Sequence, residues 1–320
     1  MLDTKKIIWV VNCVNRKTLK PAREMAISSY SPNPKVRAKK WITRISNPQS
    51  TLINAFDLYA GEGWSVVKNT ISGLNEIEIE IELWIVSAGY GLIRSDSLIE
   101  SYNATFERAD RNYVGTGNKA KDNREFDRIW WSELNEWKGP TKASNRSFAS
   151  LIKNNPESPI VISLSRKYFS AVSNDLEEAV NSSQKQNQIF LLTSGELTKP
   201  FENIHIPIHA RYTQELGGKP FSINFLTAST IINSYGQHNF SFKDVRQMVA
   251  ESLETLPDLT PYNRKKLTDN EILEMINLLK KRSISHSFTS LLRLYRDLGY
   301  ACKDTRFKDL YNKSNELSSK

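Results

Sequence analysis

The sequence predicts an α/β protein: a mainly parallel central sheet flanked by helices, followed by a C-terminal helical unit. Three observations carry this. Four short apolar runs rich in β-branched residues lie far apart within the first 200 residues, as strands buried on both faces do. The segments between them are long and partly at helical spacing, which suits crossovers between parallel strands. From about Phe240 the texture is helical throughout.

The elements follow in order. Lys6 to Cys13 (KIIWVVNC) is a continuous apolar run and reads as the first strand. Asn47 to Ser72 carries Leu52, Ile53, Phe56, Leu58 and Tyr59 near helical spacing. Glu76 to Val86 alternates through Ile77, Ile79 and Ile81 and then turns continuously apolar, as a strand entering the core from a solvated end would. Glu107 to Ser147 mixes glycines, Pro140 and many charges with Trp130, Trp131 and Trp137, and reads as an excursion from the sheet, half loop and half helix, forming a lid or recognition flap at about 107–147. Pro159 to Ser163 and Gln188 to Thr193 are two further buried strands, separated by a helix through Phe169, Val172, Leu176 and Val180. Thr268 with Glu271 forms a capping box ahead of Ile272, Met275, Ile276 and Leu279. Phe288, Leu291, Leu292 and Tyr295 give the next helix its apolar face, and Gly299 is placed to end that helix. The organisation expected is a sheet domain over 1–240 with the inserted flap, and a basic helical domain over 241–320.

Composition narrows the class. The chain has 320 residues, 39% hydrophobic and 25% charged, with mean hydropathy −0.48, which disfavours both disorder and a membrane-spanning role. Cys13 and Cys302 stand at opposite ends, so a disulfide framework is not expected and a reducing cytoplasm is. The opening apolar run is too short for a signal peptide or a membrane helix. His205 and His209 sit on a strand-like run broken by Pro207, about two strand repeats apart; with no clustered ligand set, no metal and no cofactor is expected.

The charge is unevenly spread. Residues 1–50 hold eleven Lys and Arg against two acidic residues, whereas 51–240 is net negative. That density exceeds what solubility needs and points to nucleic acid. Arg16, Lys17, Lys20, Arg23, Lys39 and Lys40 are the N-terminal candidates for phosphate contact, and Arg293, Arg296 and Arg306 those of the helical unit.

The four strand ends are alike. They read Asn12-Cys13-Val14-Asn15, Ser87-Ala88-Gly89-Tyr90-Gly91, Ser163-Leu164-Ser165 and Thr193-Ser194-Gly195. Small and amide residues on one rim of a parallel sheet let a planar ligand approach the backbone, and that rim is where such sheets bind ligands. Asn15, Ser87, Gly89, Tyr90, Gly91, Tyr102, Ser163, Ser165 and Ser194 are therefore candidate substrate-binding residues. Asp96 is the first carboxylate after the second strand; it either serves the site or, with Ser95 and Ser97, caps a following helix. The phosphate-loop pattern, the GxSxG elbow and the GxGxxG fingerprint are all missing.

Two blocks in order, Val11 to Ala22 (VNCVNRKTLKPA) and Ser87 to Thr105 with its Ser-Ala-Gly-Tyr-Gly-Leu-Ile, Asp96 and Tyr102-x-x-Thr105, resemble a bacterial and phage domain family of largely unassigned function. That family looks related to the uracil-DNA glycosylase fold. The resemblance covers the first 105 residues and weakens through about 195. It implies a DNA N-glycosylase, monofunctional, excising a modified base such as glucosylated hydroxymethylcytosine from phage DNA in anti-phage defence. The Gly-Gln-Asp-Pro-Tyr-His block of the uracil enzymes is absent, and Asn12-Cys13-Val14-Asn15 stands in its place.

Base excision passes through an oxocarbenium-like sugar, which calls for a carboxylate or amide near C1′ and donors for the leaving base. Asp96 is assigned the first task and Asn12 the placing of water; the partner expected is double-stranded DNA with a flipped base, with no membrane and no obligate protein partner. Two alternatives stand beside this reading: a noncatalytic DNA-binding module, and a hydrolase or transferase acting on free nucleosides or nucleotides.

Overall fold

The computed structural model describes residues 5–76, 78–118, 123–140, 145–238, 242–259, 263–282 and 287–318. Ile77, named above, and residues 119–122 and 141–144 of the expected flap lie outside them. The described chain forms two compact units, Met1–Pro257 and Asp258–Lys320.

The first unit is built on a six-stranded sheet. In chain order its strands are β1 (Lys5–Asn12), β2 (Ile79–Ser87), β3 (Gly91–Arg94), β4 (Ile160–Ser163), β5 (Ile189–Ser194) and β6 (His205–Ile208), arranged β3-β2-β1-β4-β5-β6. All neighbours are parallel except β2 and β3. The two runs that open the sequence argument, in β1 and β2, pair directly, with Ile7 opposite Ile81 and Val11 opposite Ile85. Ile7 to Val11 of β1 are wholly buried because strands flank β1 on both edges and helices cover both faces.

Helices α1 (Pro34–Ile45), α3 (Asn123–Glu136), α4 (Phe148–Lys153) and α5 (Arg166–Ser182) pack on one another as one layer. Helices α2 (Glu62–Asn75) and α6 (Ile223–His238) pack together as the other. Helix α1 opens with Asn33, whose side chain accepts from Val36 N at 3.1 Å, followed by Pro34 in the first turn. The helix expected across 47–72 is broken in two: one helical turn spans Ala55–Leu58, and the long helix α2 begins at Glu62. Ahead of that turn the chain is extended, Ile53–Asn54 pairing antiparallel with Leu98–Ile99, while the amides of Gln49 and Ser50 donate to the Glu100 carboxylate at 2.9 and 2.6 Å.

Two expectations need correction. The 107–147 segment is no detached flap among its described residues: α3 buries Phe126, Trp130, Trp131 and Leu134 in the main core, and Trp130 Nε1 donates to Ala88 O at 2.8 Å. The domain boundary also moves. Helix α7 (Phe242–Thr255) buries Val245 and Val249 in the first core, and Tyr212 donates to Val249 O, so the second unit starts at Asp258 and not at 241.

The second unit comprises α8 (Asp269–Arg282), α9 (Phe288–Asp297) and α10 (Asp304–Ser318) around Ile272, Ile276, Leu291, Tyr295 and Phe307. The capping box stands as expected, with Thr268 N donating to Glu271 Oε2 at 2.7 Å. Among the described residues no helix is long and apolar enough to cross a membrane.

Candidate functional site

Counted in chain order, the parallel strands run second, first, third, fourth, fifth across the sheet. The chain therefore crosses from one side of β1 to the other after β2, and the carboxyl ends of β1 and β4 form the switch point where such sheets leave a crevice. A cleft of about 780 Å³ opens there. Segments 12–16, 60–63, 164–168 and 219–225 line it, together with Thr105, Glu107 and Ser194.

Its floor is an ordered amide network. Asn12, 7% exposed at the end of β1, accepts on Oδ1 from Ser165 N at 2.9 Å and from Asn224 Nδ2 at 3.1 Å, and donates through Nδ2 to Cys13 O at 3.1 Å. Asn224, 5% exposed on α6, also donates to Ser163 O at 3.4 Å. Each bond fixes which end of each amide is which. Both partners of Asn224 are acceptors, so Nδ2 must face them. Ser165 is the N-cap residue of α5 but makes no side-chain capping bond, which leaves backbone donors at the start of that helix beside the network.

A second polar group adjoins it. Cys13 Sγ lies 3.2 Å from the Tyr168 hydroxyl, which is 3.5 Å from Thr105 Oγ1. Behind the cleft lining, the Tyr102 hydroxyl contacts Tyr59 at 2.9 Å and Ser87 Oγ at 2.7 Å. Burial holds the phenols of Tyr59, Tyr102 and Tyr168 well above their ordinary value, so all three are neutral. The Lys17 ammonium sits 4.4 Å from the Tyr102 ring centroid, its pKa lowered by burial against the opposing pull of Cys13 and Asp110.

The mouth is charged and carries one apolar projection. Arg16 and Lys219 are exposed there, and Arg166 donates to the carbonyls of Ser194 and Glu196 at 3.3 Å. Phe221 is 66% exposed. The carboxylates lining the cleft are Glu62 and Glu107, both engaged: Glu107 with Lys167, Glu62 with the loop before α6.

The predicted residues fall into two groups. Asn12, Asn15, Arg16, Ser165 and Ser194 line the cleft, Asn15 also donating to Asp110 at 3.3 Å. The others lie elsewhere. Asp96 follows β3, which runs antiparallel to β2 and carries the chain back to the level of Leu83, about 13 Å from the Ser87 rim. There it is exposed and paired with Arg94, whose hydrogen bonds hold its carboxyl below the usual range. It neither caps a helix nor reaches the cleft. Tyr90 is core, packed edge-on to Tyr102, and its hydroxyl accepts from Glu100 N at 3.2 Å. Ser87, Gly89, Gly91, Tyr102 and Ser163 also stand outside the lining: Gly89 O accepts from Trp41 Nε1, and Ser163 Oγ accepts from Trp9 Nε1 at 3.0 Å.

Of the proposed phosphate contacts, Lys20, Arg23, Lys39 and Lys40 are exposed, and none lines the cleft. Lys17 is half-buried as described. In the second unit Arg296 pairs with Asp304 and Arg306 with Asp269, whereas Arg293, with its side chain 85% exposed, lies 3.8 Å from Asp297. Sequence reasoning missed Asn224, Thr105, Tyr168 and Phe221. An Asn on the apolar face of a helix and a Gly-Gly-Lys-Pro-Phe turn before it were the available signals. No family model, curated protein or solved structure matches the chain.

Proposed function

We propose that the chain is a DNA N-glycosylase that hydrolyses the bond between a flipped-out modified base and its sugar, leaving an abasic site. The observation that carries this reading is Asn224. Its Nδ2 is committed to two acceptors, while its Oδ1 has no hydrogen-bond partner among the described residues and is not sealed in the interior. On a residue lining the switch-point cleft, that oxygen is a preset acceptor for the attacking water. Asn12, both of whose carbonyl lone pairs are taken, orients Asn224 instead of holding the water itself.

The rest of the cleft suits the other half of the reaction. As the glycosidic bond lengthens, the sugar becomes cationic and the leaving base gains negative charge. The amino-terminal end of α5 and the hydroxyls of Ser165, Thr105 and Tyr168 are donors for that charge. Arg16, Arg166 and Lys219 suit the flanking phosphates, and Phe221 is a side chain able to fill the gap a flipped nucleotide leaves. The volume supports a bulky base, since about 780 Å³ lies in the range that holds a drug-sized ligand. The resemblance through Thr105 supports modified cytosine in phage DNA as the substrate.

The test is incubation with modified and unmodified duplexes, reading released base and abasic sites by mass spectrometry. Asn224→Leu should keep duplex binding and lose on the order of 100-fold in the single-turnover rate, the scale of deleting one preorganised polar group. Wild-type rates in that variant reject the assignment. Cleavage of free nucleosides without cleavage of DNA moves the reading to a nucleoside hydrolase.

A further inference from the structure

The loop that carries Phe221 is held by a residue remote in sequence. Glu62, in the first turn of α2, accepts on Oε1 from Lys219 N at 3.0 Å and from the Ser222 hydroxyl at 2.8 Å, and its Oε2 lies 3.6 Å from Lys219 Nζ. These hydrogen bonds, the Ser222 hydroxyl first, hold its carboxyl below the ordinary range, so it is charged at neutral pH. The two backbones are shaped for each other. A Cβ on Gly63 would fall 2.6 Å from the Phe225 ring, and one on Gly218 (φ +76°) would fall 2.7 Å from Leu226 and 3.3 Å from Glu62 Oε1. Ser222 is fully buried while Phe221, its neighbour, is two-thirds exposed. An apolar ring kept in water beside a fixed anchor is a preformed projection.

We propose that Glu62 is a positioning residue for Phe221: its carboxylate fixes the 217–222 loop so that the ring stands at the cleft mouth before any DNA arrives. A loop ordered in advance loses less conformational freedom on binding, and the gain appears in capture, not in bond cleavage. Both Glu62 carboxylate oxygens are engaged by the loop, through which it acts. This inference rests on the base-excision reading for the loop's target, but not for the loop's order.

The experiment uses the full chain with Glu62→Ala, Glu62→Gln and Phe221→Ala. Amide exchange at Lys219 is measured first, and should rise at least about tenfold in Glu62→Ala and be largely restored in Glu62→Gln, which keeps an acceptor oxygen. Binding is then measured to a duplex containing one mismatched pair. Glu62→Ala should weaken it about tenfold in the wild-type background and hardly at all once Phe221 is alanine, because the two act as one unit. Any excision loss should fall in KM, with the rate at saturation retained. Unchanged exchange at Lys219 overturns the positioning role whatever the DNA result, and so do additive losses in the double variant. Raised exchange in a protein that binds no duplex overturns the DNA reading and leaves Glu62 as the holder of the loop.

Discussion

Glu100 is 1% exposed and yet ionised. Burial alone would raise its pKa, but the Arg44 guanidinium, the Ser50 hydroxyl and the amides of Gln49 and Ser50 outweigh burial and hold it at about 2. Its folded pKa is thus below the ordinary 4.5, so the stabilisation it gives is complete above about 4.5 and is lost as pH falls toward 2. Glu100→Gln should cost about 3 kcal/mol or more at pH 7, because Arg44 is left largely buried without its partner. In urea titrations at pH 7, 4 and 2.5, the gap between variant and parent should narrow with acidity; a constant gap would contradict the assignment. Arg44 was legible only as one cation in a basic block, as was Arg37, which is buried and donates to the carbonyls of Ser31, Val114, Tyr30 and Thr116. A sequence counts charges without revealing which of them face inward.

At the scale of elements, the four central strands were legible because a strand buried on both faces must be apolar along its length, whatever its neighbours are. Helix α3 was not. Its outward face carries Arg124, Glu125 and Glu133, which diluted the apolar positions into a pattern resembling a loop, while Trp130 and Trp131 are buried on the inner face. The difference is measurable. Trp130→Ala should cost about 3–5 kcal/mol in urea unfolding, since it removes a wholly buried ring and orphans the bond to Ala88 O; a detached flap would tolerate it with stability unchanged. The site divides along the same line. Asn12, Ser165 and Ser194 were legible because they end strands, and strand ends fall on one rim by topology. Asp96 misled because the four-residue β3 reverses the chain, and a reversal that short leaves little trace in periodicity. Asn224 joins the site by a tertiary bond to Asn12, 212 residues away, which no local pattern encodes.

At the scale of the molecule, each unit has its own core, so residues 1–257 and 258–320 should each unfold cooperatively when expressed alone, as read by circular dichroism. Loss of cooperativity in the larger fragment would mean that it depends on the smaller. The second unit holds thirteen Lys and Arg against eight acidic residues, which makes it a candidate for sequence-independent contact. If the chain acts on DNA as proposed, its affinity should fall steeply with salt, and reversing Arg16, Lys20, Lys39 and Lys40 to Glu should flatten that slope for all sequences alike; binding that ignores salt and these reversals would remove the nucleic-acid argument. Lys17 is left out of the set because its ammonium is packed against Tyr102. The cleft walls also carry a lesson about timing. They come from stretches near residues 12, 61, 165 and 221, and Phe225 is the last residue among them. During synthesis the ribosome must therefore release the chain past α6 before the pocket exists, and a prematurely ended product would lack it however well its first strands had paired. Whatever chemistry the cleft performs would thus be missing from any product that stops short of α6, without any inhibitor.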